Sequence, residues 1–170
     1  MSTDLIVVSG CEYANAGALL AEKNTNLLTT YAMYADAAPD VLKILSNHES
    51  SQVQQAVAQN PCTPTEVLDC LASNSWCEYL VAKNPNTAPQ TLARLIMQPG
   101  TKYEACLNAL SNPNTPFQVI LRFLFSKAND SLVLAIEANP KYGDFNRMVT
   151  DFDERTLITR IENEQYSQKM

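Results

Sequence analysis

Five thiols, one imidazole and one tight group of carboxylates carry the most obvious chemistry in this 170-residue chain. Cys11, Cys62, Cys70, Cys77 and Cys106 are odd in number, widely spaced and mostly set in apolar helical patterns, as expected of reduced thiols used as small hydrophobes. No CxxC pair occurs, and the spacing of Cys62, Cys70 and Cys77 matches neither a zinc site nor an iron–sulfur cluster, so no metal and no cofactor is expected. His48 is the only histidine; in "SNHES", at an expected helix–helix connection, it reads as a solvated loop residue rather than an acid–base catalyst. Asp151, Asp153 and Glu154 stand just ahead of an expected helix, where negative charge is favourable for structural reasons. Gly10, Gly17, Gly100 and Gly143 are isolated, so no glycine-rich phosphate loop exists. Catalysis needs a nucleophile with a base, paired carboxylates or a metal. Nothing in the sequence asks for an enzyme.

Two further groups of residues suit recognition. Arg94 and Arg122 occupy the same place in a recurring pattern, two residues after Leu92 and Ile120, and so present either a small guanidinium ladder or two solvated, stem-packing side chains. Trp76, the only tryptophan, stands at the first turn of an expected helix with Tyr79 on the same flank, and Tyr103 holds a nearly equivalent place one unit later. Half-exposed aromatics are enriched at protein interfaces, although packing between neighbouring units accounts for them equally simply.

The elements that position these residues are written in a repeat. Asn60-Pro61, Asn84-Pro85, Asn112-Pro113 and Asn139-Pro140 recur at intervals of 24, 28 and 27 residues. Each follows a helical segment, and proline removes an amide donor and pushes its predecessor out of the helical region, so each first segment stops at the asparagine. Thr63-Pro64-Thr65-Glu66, Thr87-Ala88-Pro89-Gln90 and Thr115-Pro116-Phe117-Gln118 then fit a capping box, with Thr as N-cap and proline at or near the first helical position. Apolar stripes follow at helical spacing: Val67, Leu68 and Leu71; Thr91, Leu92, Leu95 and Ile96; Val119, Ile120, Phe123 and Leu124; an uncapped copy has Val41, Leu42 and Leu45. The second segments open with further capping boxes, Ser75-Trp76-Cys77-Glu78 and Thr101-Lys102-Tyr103-Glu104, and with Asn129 or Asp130. Such short helices bury their stripes only against neighbours.

The stretches "VAQNPCTPTEVLDCLA" and "VAKNPNTAPQTLARLI" resemble the leucine-rich repeat variant family over residues 35–140. The resemblance implies an all-α, right-handed α-solenoid in which α-helices alternate with helices that are tight and 3₁₀-like. Units of 27 and 28 residues are longer than that family's, which suits a full α-helix in the second position. Some members carry a cysteine-rich iron–sulfur segment; here only Cys11 precedes the repeats, and that cofactor is not carried over.

A single domain is expected, with residues 1–34 as an N-terminal cap, about four repeats over 35–140 and a cap helix in 141–170. "LIVV" at 5–8 reads as a strand without an obvious partner, and residues 14–34 as one or two helices broken at "EKNTN". The start has no basic segment followed by an apolar core, and no stretch approaches the roughly 18 to 20 apolar residues of a membrane span, so a cytoplasmic protein is expected. Residues 1–80 carry nine acids and two bases (−7), residues 81–170 nine acids and ten bases (+1). That split argues against binding duplex nucleic acid. The function expected is a non-enzymatic scaffold binding another protein through one extended face, with Trp76, Tyr79, Arg94, Tyr103 and Arg122 as contacts. The alternatives are an inhibitor or immunity-type protein whose acidic half mimics nucleic acid against a basic partner, and, from a third class, an iron–sulfur or redox protein.

Overall fold

Proline sets the punctuation of the chain. A computed structural model describes residues 6–8, 10–127, 134–136 and 138–140. The expected C-terminal cap over 141–170, the cap at Asn129 or Asp130 and the carboxylates Asp151, Asp153 and Glu154 lie outside these residues. The described chain is mostly helical, with one small sheet at its start: β1 (Ile6–Val8), β2 (Cys11–Tyr13), α1 (Ala16–Leu20), α2 (Thr25–Met33), α3 (Pro39–Leu45), α4 (Ser51–Gln59), α5 (Thr65–Leu71), α6 (Glu78–Lys83), α7 (Pro89–Met97), α8 (Tyr103–Ser111) and α9 (Phe117–Lys127).

The strand at "LIVV" does have a partner. Ile6 pairs with Tyr13 and Val8 with Cys11 in an antiparallel hairpin, and Gly10, at φ +82°, supplies the left-handed turn residue. Val8 and Tyr13 point into the core. After the hairpin, Asn15 caps α1 by accepting the Ala18 amide (2.9 Å), and Asn24 caps α2 by accepting that of Leu27 (3.2 Å).

From α3 onward the helices alternate. α4 packs on α2 and α6, and α6 on α8; α1 meets α3, and α7 meets α9. Within units, α3 touches α4, α5 touches α6 and α7 touches α8. The equivalent leucine-type positions Leu42, Leu68, Leu92 and Ile120 are all fully buried, each worth about 1.5–3 kcal/mol of transfer free energy. Val57, Val81, Ala109 and Ile136, three residues before each junction asparagine, complete the same core. None of the described helices is 3₁₀, so the tight helix implied by the resemblance is absent among the described residues; its nearest trace is the Cys77 amide bonding the Asn74 carbonyl (2.8 Å) on the way into α6. The longest unit is accommodated by a longer α7 and by Gly100 at φ +92°.

The junctions are joined by buried asparagines. α4, α6 and α8 end at Asn60, Asn84 and Asn112, each in extended backbone with ψ of 125°, 127° and 130°. Each of these carboxamides accepts the amide two residues on, from Cys62 (2.7 Å), Asn86 (2.8 Å) and Asn114 (2.9 Å). The same side chain donates twice to the unit before it: Asn60 to Ala32 and Tyr34, Asn84 to Ala58 and Asn60, Asn112 to Ala82 and Asn84, Asn139 to Leu110 and Asn112. The carbonyl of one asparagine thus receives the next.

Thr63 and Thr87 act differently from the expected capping boxes, and Thr115 shares their backward bond. Thr63, Thr87 and Thr115 are buried, and their hydroxyls donate back to Val57, Val81 and Ala109 carbonyls at the ends of the preceding helices. α5 and α7 start from Pro64 and Ala88 without a side-chain cap. The second segments also lack their boxes: α6 follows Cys77 and α8 follows Lys102, again with no side-chain cap. Each hydroxyl thereby gives a donor to a buried helix-end carbonyl that is costly to leave unsatisfied.

Candidate binding face

Trp76 owes its place to Asn74. After α5 ends, the Asn74 side chain accepts the Trp76 amide (3.1 Å) and its carbonyl takes the Cys77 and Glu78 amides, which turns the chain tightly into α6. The Trp76 ring is left 61% exposed. One unit later Lys102 lays its ammonium 5.2 Å from the ring centroid and donates to the Ser75 carbonyl (2.7 Å), a cation–π contact that also pins the turn. Tyr103, the next residue, is 53% exposed. Trp76, Lys102 and Tyr103 therefore form one patch at the starts of α6 and α8, in which Lys102 was not foreseen.

Beside the patch runs a half-open groove of about 880 Å³ that crosses α2, α4, α6 and α8. Carboxamides are the most numerous polar groups of its lining, Asn26 from α2, Gln52, Gln55 and Gln59 from α4, Asn84 after α6 and Asn108 from α8, beside the apolar Met33, Ala56, Leu80 and Pro85. Gln52, Gln55 and Gln59 share one helical face by their spacing of three and four. Gln55 donates to the Trp76 carbonyl (3.2 Å) and Asn108 to that of Tyr79 (3.2 Å), which ties the patch to the groove. Tyr79 lines the groove half-buried and also packs against the core. Lys83 and Glu104 are the charged residues of the lining.

The two arginines are not equivalent. Arg94 donates to both the carbonyl and the carboxylate of Asp69 (2.8 Å each), and the Thr91 hydroxyl meets the same carboxylate oxygen (2.7 Å). This holds α7 to α5 across a unit boundary. Arg122 is exposed on α9, and the place that Asp69 fills for Arg94 is Ala93 for Arg122. The pattern showed the guanidiniums but not the carboxylate one unit earlier that engages only one of them.

His48 is buried, not solvated. Its Nδ1 accepts the Ser50 amide (3.0 Å), which leaves the ring hydrogen on Nε2, 3.3 Å from the Glu22 carbonyl. The single histidine thus fastens the α3–α4 connection to the loop before α2. Burial pushes the Cys77 thiol up to about 11. Among the described residues, no three His, Cys, Asp or Glu side chains come together to hold a metal ion, and no helix is long and apolar enough to cross a membrane. No protein-family model, no curated protein and no solved structure matches the chain.

Proposed function

We propose that the chain is a non-enzymatic, cytoplasmic scaffold, an α-solenoid of the leucine-rich repeat variant type, that binds a partner protein through the face carried by α2, α4, α6 and α8. The observation that carries this is the exposed Trp76–Lys102–Tyr103 patch at the edge of a groove crossing four helices. Large aromatics exposed at the rim of a concavity are the side chains that dominate interface energies. The solenoid is supported by the asparagine-to-asparagine bonds, which repeat the same contact at three successive junctions. Five free thiols suit a reducing compartment.

An acidic, nucleic-acid-mimicking inhibitor would need a charged contact surface. The groove instead balances Lys83 against Glu104, which favours the scaffold. The test is capture of a binding protein by the full chain and by a folded Trp76→Ala/Tyr103→Ala variant, at low and raised salt. Loss of the partner with the variant and retention in salt is expected; equal capture by both chains contradicts the proposal.

A further inference from the structure

Two of the four helices across the groove contain no charged residue at all. α2 reads TNLLTTYAM and α4 reads SQVQQAVAQ, in a chain with 12 Lys and Arg and 18 Asp and Glu. A merely solvated helix face is ordinarily built from Lys and Glu, which hydrate better than carboxamides and form helical ion pairs. Here the outward face of α4 is glutamine at 52, 55 and 59, and Asn26 continues it onto α2. The side chains of Asn26, Gln52 and Gln59 are held by no other described residue.

A carboxamide carries the same groups as a peptide bond, a carbonyl acceptor and an N–H donor side by side. A row of them is complementary to a main chain whose own hydrogen bonds are unsatisfied, and indifferent to charge. Helices pack about 8–10 Å apart and extended chain advances about 3.3 Å per residue, so a strand crossing the groove meets a new helix at about every third residue. Roughly eight or nine residues reach from α2 to α8. A small apolar ligand is the poorer fit, because such pockets hold few polar groups, whereas here six carboxamides, Lys83 and Glu104 share the lining with Met33, Ala56, Tyr79, Leu80 and Pro85. A neutral glycan stacks best on a fully open aromatic ring face, and Tyr79, the aromatic of the lining, is half-buried against the core.

We propose that the groove over α2, α4, α6 and α8 binds an extended polypeptide segment of about nine residues by its main chain, through the carboxamides of Asn26, Gln52 and Gln59, with little dependence on the segment's charge. This rests on the proposal that the α2–α8 face is the binding face, and it assigns the groove a ligand class. The segment lies across the helices, and Trp76 at the rim contributes side-chain contact at one edge.

The test is selection of random nonapeptides displayed on phage against the full chain, followed by affinity measurement on synthetic peptides from the enriched clones. Gln52→Ala/Gln59→Ala and Trp76→Ala chains, shown to be folded by circular dichroism, are measured alongside. The expected result is enrichment, a loss of about tenfold or more with the double glutamine variant, and a similar loss when peptide amides are N-methylated. Peptides weakened by Trp76→Ala but unaffected by the glutamine changes would overturn the groove assignment while leaving the binding face in place. No enrichment over a control scaffold, or peptides indifferent to all variants, would overturn both. Glutamine-dependent binding of a neutral glycan on an array, without peptide binding, would replace the polypeptide.

Discussion

The side-chain nitrogen of Asn84 lies 2.8 Å from the main-chain oxygen of Asn60, one unit earlier. The oxygen of Asn84 in turn receives Asn112 at 2.9 Å. Each asparagine is thus at once a helix terminator, a turn former and a tie between units, and no other side chain has the short reach and both hydrogen-bonding groups for all three.

Asn84→Ala removes the side-chain donor of the buried Ala58 carbonyl, one of two donors of the Asn60 carbonyl, which keeps the Thr63 amide, and the acceptor of the Asn86 amide. We expect about 2–3 kcal/mol of lost stability, read as a lower urea midpoint with little change in slope. Asn84→Asp keeps the acceptor but turns a negative oxygen toward two carbonyls, and should cost at least as much.

Thr87→Val preserves shape and removes only the hydroxyl that donates to the Val81 carbonyl (2.6 Å). A loss of about 1–2 kcal/mol is expected in the same denaturation assay, against a smaller loss for Thr87→Ser. An unchanged midpoint for Thr87→Val would remove the hydroxyl from the account of the junction.

How much of this was written in the chain differs by residue. The helix stops at Asn60, Asn84 and Asn112 were legible because proline acts on its immediate neighbour. Thr63 and Thr87 read as caps in the sequence because T-x-x-E/Q specifies a donor and acceptor at the right spacing without saying which helix the hydroxyl serves. β2 escaped notice because three residues, CEY, give no alternation to detect. His48 reads as solvated in the sequence because its partner is the carbonyl of Glu22, 26 residues away. The groove was missed for another reason: periodicity weighs apolar positions, and the informative feature of α4 is the absence of charge on its outer face.

Tyr13 donates to Glu22 (3.0 Å) between the hairpin and the loop before α2. Burial, then the bond and the neighbouring charge, push the phenol up to about 12 from 10.0. The folded value is the higher one, so its contribution to stability is complete below pH about 10 and fades as pH rises from about 10 through 12. Glu22 is lowered from 4.5, chiefly by the Asn24 amide and then by Tyr13, so its contribution is present above 4.5 and is lost as acid protonates the folded carboxylate below that. Tyr13→Phe should flatten the alkaline limb of the thermal midpoint against pH and weaken the acid limb.

Thiol reactivity should divide the cysteines in the native state. Cys11, Cys62 and Cys70 are exposed, whereas Cys77 and Cys106 are buried. Short alkylation followed by peptide mass spectrometry should label the first three and spare the other two, with all five labelled in denaturant. Rapid native labelling of Cys77 would contradict its complete burial.

The most direct measurement is the affinity of the captured partner for the full chain, for folded Trp76→Ala/Tyr103→Ala and for Arg122→Glu, at low and raised salt. We expect at least a tenfold loss with the aromatic variant, little change with Arg122→Glu and weak salt dependence. An affinity untouched by the aromatic changes but abolished by salt would contradict the binding face and favour an acidic inhibitor of a basic partner.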